Sequence, residues 1–469
     1  MKKENKNFLY NVVYQLLIYI FPLLTVPYIS RVLGVSNIGI YSYTYSIISF
    51  FMLVAMLGIN NYGNRAISRV RDDKEKTSYT FWSIYYLQIL LAMIVLTVYL
   101  VYVIFFCKEY KLIFLLQTFN LISTLFDINW FYFGLEKFKL TVTRNMVIKI
   151  ISTILIFAFV KDKSDLWIYT LIMSLSILMS QLYLIGRLHE FITFKKVPIK
   201  ECFKNFKGCL VLFIPVLAYG IYRIIDKAML GAFSVTELGY FENAEKIINL
   251  PISVITALGT VMLPHMSYMI QNKKDEAKNK IYESMKLALL LAITMSMSLI
   301  LISDDAAIII FGKEFEKSGV IMKLLATTII ASAWANVVRT QYLIPIGNDK
   351  VYVASTMGGA IINLILNLLL IPRFGVYGAC VGTIAAEWFV MIYQSVMTRH
   401  QLEMKRYFCL FVEYLVKSLF IIFVAYILTF YLSNVYLRFI IQVLIIIILV
   451  IVIYHHYIIY DFFGKKEKR

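Results

Sequence analysis

Apolar residues run along this chain in blocks of about twenty, and polar residues gather in the short intervals between them. About fourteen blocks are legible, at 8–31, 38–60, 81–106, 111–133, 143–160, 165–186, 209–231, 238–263, 285–303, 318–344, 351–371, 376–397, 408–431 and 436–460. Each is long enough to cross about 30 Å of hydrocarbon as a helix. The pattern predicts an all-α polytopic membrane protein with about fourteen transmembrane helices. The largest outward interval, 304–317, reads as a loop too short to be a catalytic domain.

The intervals differ in charge. Those that follow even-numbered blocks hold most of the lysines and arginines, as in R-A-I-S-R-V-R-D-D-K-E-K at 65–76, F-K-K-V-P-I-K at 194–200 and N-K-K-D-E-A-K-N-K at 272–280. Both ends of the chain, M-K-K-E-N-K-N and G-K-K-E-K-R, are basic as well. Positive charge stays on the cytoplasmic side, so both termini are expected to be cytoplasmic. No small-residue cleavage site follows the basic start, and the first block reads as a retained span.

Short motifs recur half a chain apart. S-R-V-L-G-V-S-N-I-G-I-Y at 30–41 is echoed by K-A-M-L-G-A-F-S-V-T-E-L-G-Y-F at 227–241. M-L-G at 56–58 pairs with A-L-G at 257–259, and G-L-E-K at 134–137 with G-N-D-K at 347–350. The repeat unit is then about six spans, and an even number keeps both copies in the same orientation. The expected layout is two parallel six-helix lobes, 1–208 and 209–407, followed by two extra helices and a basic cytoplasmic tail at 408–469.

Composition agrees. Of 469 residues, 60% are hydrophobic and only 16% charged, far too few polar side chains to coat a soluble protein of this size. A net charge of +18 would raise nucleic-acid binding in a soluble protein. Here the orienting loops account for it, and no nucleic-acid partner is expected. Cys107, Cys202, Cys209, Cys380 and Cys409 are scattered and read as apolar filler. His189, His265, His400, His455 and His456 lack metal-ligand spacing. No Walker A, H-E-x-x-H, G-x-S-x-G or Rossmann fingerprint occurs, so neither enzymatic activity nor a bound cofactor or metal is expected.

The informative residues are the charges within the blocks. A central Arg, Lys or Asp costs roughly 2.5–3.5 kcal/mol on insertion scales, so it persists by facing a partner or a wet cavity. Arg223, Asp226 and Lys227 stand at i, i+3 and i+4 and share one helix face. Glu242, Glu245 and Lys246 repeat that spacing in the next block, and the two trios read either as a salt-bridge network or as a cavity wall of net positive character. Arg31 ends the first block at its outer side, where snorkelling also explains it. Asp127, in D-I-N-W-F-Y-F-G, has no cation on its own helix. Glu387, in G-T-I-A-A-E-W, falls near mid-membrane. Arg339 and Lys149 lie near cytoplasmic ends, as does the i, i+4 pair Glu413 and Lys417. Pro22, Pro27, Pro215 and Pro251 mark bends, and G-V-Y-G-A-C-V-G at 375–382 offers small residues for close helix packing.

Several stretches together resemble a known family. They are N-V-V-Y-Q at 11–15, P-Y-I-S-R-V-L-G at 27–34, D-I-N-W-F-Y-F-G-L-E-K-F at 127–138, D-K-A-M-L-G at 226–231, E-N-A-E-K-I at 242–247, F-G-K-E-F at 311–315 and I-P-R-F-G-V-Y-G-A at 371–379. The chain is similar over nearly its whole length to the bacterial polysaccharide repeat-unit (Wzx-type) flippases. These belong to the multidrug/oligosaccharidyl-lipid/polysaccharide exporter superfamily, with the lipid II flippases and multidrug extruders.

The resemblance implies a flippase in the bacterial plasma membrane for capsule, exopolysaccharide or O-antigen synthesis. Its substrate would be an undecaprenyl-pyrophosphate-linked oligosaccharide, moved to the outer leaflet by alternating access between the lobes. The last two helices would shape a groove for the lipid tail. Arg31, Arg223, Lys227 and Lys246, with Arg339, are then the candidates to neutralise the diphosphate or line its cavity. Asp127, Asp226, Glu245 and Glu387 are the candidate cavity acids or carriers of a coupling proton or sodium ion. Membrane lipid is an expected partner, and so are a polysaccharide polymerase and assembly proteins. Two other classes compete. An ion-coupled multidrug exporter of the same superfamily usually has twelve spans, with an acid in the first in one branch. A polysaccharide polymerase or glycosyltransferase would need catalytic carboxylates in an outward loop, for which Asp304 and Asp305 are thin support.

Overall fold

The computed structural model describes the backbone of residues 3–455, and within it the side chains other than those of residues 3–23, 214–216, 218, 219, 221–223, 261, 271, 274 and 275. The basic tail and His456 lie outside the described residues. So do the side chains of N-V-V-Y-Q, Pro22, Pro215 and Arg223. The contacts divide the chain into two units, 1–239 and 240–469.

The first unit holds α1 (Lys3–Met56), α2 (Ile59–Ser68), α3 (Lys74–Phe105), α4 (Lys111–Leu125), α5 (Asn129–Gly134), α6 (Phe138–Phe159), α7 (Leu166–Gly186) and α8 (Ile199–Phe233). The second follows from within α9 (Val235–Asn272) and comprises α10 (Lys274–Phe311), α11 (Glu316–Val338), a π-helical turn (Arg339–Leu343), α12 (Asp349–Phe374), α13 (Val376–Thr398), α14 (Met404–Thr429) and α15 (Val435–Ile453). Among the described residues there are no strands, and twelve helical stretches are long and apolar enough to cross a membrane. The other two expected blocks, 8–31 and 209–231, fall on α1 and α8, where many side chains lie outside the description. The chain is a multi-pass membrane protein. Large apolar side chains such as Phe423, Leu428, Ile448 and Ile451 stay exposed on α14 and α15, as a hydrocarbon solvent permits.

Backbone breaks within these helices have local causes. α1 bends at Gly34, whose φ of 76° and ψ of 175° suit a residue without a Cβ. The expected block 111–133 is split, because α4 ends at Leu125 and α5 begins at Asn129. Carbonyls freed at such a break cannot turn to water inside a membrane. Gln88 of α3, fully buried, supplies the partners. Its Nε2 donates to the carbonyls of Thr124 (2.7 Å) and Asp127 (3.0 Å), and its Oε1 accepts from Trp130 Nε1 (2.9 Å).

The interval expected as a loop at 304–317 is largely helical, since α10 continues to Phe311. Ion pairing explains the difference. Asp305 is buried against the Arg438 guanidinium of α15, with Nε 2.6 Å from Oδ2, and Asp304 pairs with Lys323 of α11. With both charges compensated, the helix has no reason to stop there.

The glycine-rich stretch packs as expected. A Cβ on Gly378 would strike the backbone of Leu370 and Ile371, and one on Gly382 would strike Asn367, so α12 and α13 run in close apposition. The repeated motifs diverge in detail: Gly58 is left-handed and precedes α2, whereas Gly259 lies within unbroken α9.

Candidate functional site

The two corners that carry the strongest repeated motif meet within the first unit. Ser36 Oγ lies 2.9 Å from Thr236 Oγ1. A Cβ on Gly39 would strike the carbonyl of Val235, and a Cβ on Gly239 the carbonyl of Val35. Below the corners, α8 rides closely on α1, with Gly231 against the Tyr43 ring and Gly220 against Leu53. Arg31 sits three residues before the bend at Gly34, exposed and engaged in a polar or electrostatic interaction.

On α8, Asp226 is 6% exposed and Lys227 half-buried, and each is engaged. Arg223 lies on the same helix, one turn earlier. On α9, Lys246 Nζ is 3.5 Å from Glu242 Oε1, an i, i+4 pair with the acid largely buried, and Glu245 is half-buried beside it. Both helices thus keep acids next to lysines deep in apolar sequence.

Asp127 stands in the α4–α5 break. Its Oδ1 accepts from the Asn129 backbone N–H (3.1 Å) and from Asn129 Nδ2 (2.6 Å). Asn129 passes the connection on, with its Oδ1 accepting from Arg144 Nη2 at 3.0 Å. Arg144, on α6, is 5% exposed and also donates to the Ser180 carbonyl (3.0 Å) and to Gln181 Oε1 (3.3 Å) of α7. The cation absent from Asp127's own helix thus stands on a neighbouring one and connects to it through Asn129.

Glu387 occupies the middle of α13 and accepts from Ser332 Oγ of α11 at 2.6 Å. Arg339 opens the π-helical turn and lies over the Tyr352 ring, 5.5 Å from its centroid. The structure brings Glu387 and Arg339 into the second unit and Asp127 into the first, each with its own partners.

Sequence reasoning passed over Arg144 because it stands one residue inside its block and reads as an interfacial charge. Gln88 was more legible, as a lone glutamine within the apolar run Y-Y-L-Q-I-L-L. Arg438 gave no signal, since its partner lies 133 residues away. The i, i+4 pair of Glu413 and Lys417 forms as spaced, at 2.5 Å on α14.

A family model described as polysaccharide biosynthesis protein matches residues 5–270. The chain is 24% identical over 387 residues to a Shigella dysenteriae protein named "Putative O-antigen transporter", covering 80% of this chain and 95% of that one. An Escherichia coli K12 protein of the same name is 23% identical over 391 residues, covering 82% and 94%. Among solved structures, the lipid II flippase MurJ in an inward-closed conformation superposes with a TM-score of 0.78 at 15% identity, covering 96% of this chain and all of that one.

Proposed function

We propose that this chain, which belongs to the polysaccharide biosynthesis protein family, moves a lipid-linked oligosaccharide from the inner to the outer leaflet of the membrane. The substrate class is a polyprenyl-pyrophosphate-linked repeat unit, and the mode is alternating access. The observation that carries this reading is the set of ionisable side chains kept within membrane-length helices, with Lys227 beside buried Asp226 on α8 and Lys246 beside Glu242 on α9. A pyrophosphate and its sugars cannot cross the hydrocarbon core unaided. A polar path shelters the headgroup while the polyprenyl tail stays in lipid. Cations held on helices make charge-assisted bonds to diphosphate oxygens.

In this reading Arg31, Arg223, Lys227, Lys246 and Arg339 meet the substrate. Asp127, Asp226, Glu245 and Glu387 balance those cations or carry a coupling proton or sodium ion. The termini face the cytoplasm, and the basic intervals hold that orientation. A polysaccharide polymerase and assembly proteins receive the exported unit. The names of the O-antigen transporters support the substrate class, and the likeness to MurJ supports the fold on which such transport runs.

The test is a leaflet assay. Cells lacking this gene should accumulate lipid-linked repeat units on the inner leaflet, and plasmid-borne protein should clear them. Arrival of the repeat unit at the outer surface without any substitute transporter would sink the reading.

A further inference from the structure

The second unit contains a cavity of about 690 Å3 walled by α9, α10, the end of α11, the π-helical turn and the start of α14. It shares no lining residue with the charges assigned above. Along α9, Leu258 in its wall lies roughly 18 Å beyond Lys246, twelve residues at 1.5 Å each.

Three cations line it: Lys280 and Lys286 of α10, and Arg406 of α14. One carboxylate accompanies them, Glu283, which holds Lys280 at 3.2 Å. Arg406 is set in place from two directions. Its guanidinium stacks 3.7 Å from the centroid of the Tyr282 ring, and Glu403 accepts from its Nη1 at 3.0 Å. Stacking and pairing fix the plane of the fork, which favours directed bonds to oxyanions.

The π-helical part of the lining holds a buried acceptor. The π-helical turn, closed by a bond from the Ile344 N–H to the Arg339 carbonyl at 3.0 Å, places Gln341 in the cavity lining. Gln341 is 2% exposed, and its Oε1 has no hydrogen-bond partner among the described residues. A buried carboxamide oxygen without a donor is costly and calls for one. Gly259 lets this wall close up, because a Cβ there would strike Asn336 Oδ1 and Thr340 Oγ1. Leu258, Met262 and Val337 complete an apolar side.

A ligand that fits brings an oxyanion to a lining where three cations, each already engaged, outnumber one carboxylate, together with a hydroxyl for Gln341 and a carbon skeleton for the apolar side. We propose that this cavity is a binding site for a hydroxyl-bearing phosphate ester, with the phosphate on Arg406 and Lys286 and a hydroxyl donating to Gln341 Oε1. Its volume falls in the range of about 300–1,000 Å3 usual for small-ligand pockets. Such chemistry comes either from a glycerophosphate lipid headgroup or from a soluble polyol phosphate. The site stands independently of the translocation reading.

The experiment is calorimetric titration of the full chain in a neutral detergent with two probes, dioctanoyl phosphatidylglycerol and glycerol 3-phosphate. Saturable binding of at least one is expected, weakened roughly tenfold or more by K286Q, R406Q and Q341L each. Binding of the lipid alone assigns the site to the membrane, and binding of the free ester as well assigns it to a soluble ligand. Q341L keeps the charge unchanged, so its effect separates a directed site from general attraction to a basic surface. K286Q stands in for R406Q if loss of the Tyr282 stack unfolds the protein. Failure of both probes to bind overturns the proposal, as does binding indifferent to Q341L and K286Q.

Discussion

Ser36 Oγ and Thr236 Oγ1 lie 2.9 Å apart although 200 residues separate them in the chain. The same offset relates Val35 to Val235 and Gly39 to Gly239, and each glycine faces the other corner's valine carbonyl. Reciprocal contacts of this kind are what two copies of one motif make about a local two-fold axis. A resemblance between two short strings is thus also a physical contact.

Closure of these corners should depend on the absence of two methyl groups. Gly39→Ala and Gly239→Ala should each cost about 1–3 kcal/mol through overpacking against a carbonyl. Ser36→Ala, which removes one hydroxyl pair, should cost about 1 kcal/mol or less. Thermal unfolding of the purified variants gives the order, and repeat-unit export measured at equal membrane levels shows whether the corner matters in transport.

The α4–α5 break should rely on Gln88. Gln88→Leu strips donors from the Thr124 and Asp127 carbonyls and an acceptor from Trp130 Nε1, leaving buried groups that cost about 1–3 kcal/mol each. A markedly lowered melting temperature is expected. An unchanged one would mean that the break satisfies itself some other way.

Asp127 and Arg144 should separate function from stability. Arg144→Met deprives Asn129 Oδ1 and Gln181 Oε1 of a charged donor and should destabilise by roughly 2–4 kcal/mol. Asp127→Asn can retain both bonds from Asn129 through its amide oxygen and should leave the melting temperature nearly unchanged. If the carboxylate carries a coupling ion, D127N nonetheless loses gradient-driven transport in proteoliposomes.

The Asp305–Arg438 pair invites a double-mutant cycle. Asp305→Leu alone leaves the guanidinium without its buried partner and should cost about 3–5 kcal/mol. Adding Arg438→Leu should recover most of that loss, because two apolar residues need no compensation. Additive losses would show that the two residues act separately.

At the start of α3, pH should matter in a defined direction. Asp73 caps the helix, its Oδ1 accepting from the backbone N–H groups of Lys76 (3.1 Å) and Glu75 (3.0 Å). The Lys76 backbone bond, seconded by its side chain, holds the Asp73 pKa below the usual carboxylate value. The cap is therefore fully stabilising above the unfolded value near 4, and its contribution fades as pH falls through the lowered folded value. Asp73→Ala should melt earlier than the parent at pH 7, and the gap should shrink with acidification.

Much of the architecture is legible in the sequence because a bilayer imposes one length and one polarity on every span. Apolar blocks of about twenty residues can satisfy their backbone only as helices, so the spans follow from counting. The i, i+4 pairs Glu242–Lys246 and Glu413–Lys417 follow as well, since helix geometry alone makes such neighbours. The small-residue stretch at 375–382 implied close packing for the same local reason.

Partnerships across the chain are another matter. The sequence left Asp127 without a cation and treated Asp304 and Asp305 as loop residues, because Arg144 connects to Asp127 through Asn129, and Lys323 and Arg438 reach the other two directly, all from other helices. The orphan acceptor of Gln341 exists only where α9, α10 and α14 enclose the π-helical turn. Local chemistry sets which segments are helices and how they meet the membrane. Which charges and polar groups are compensated depends on contacts distant in sequence, which form only when the helices pack.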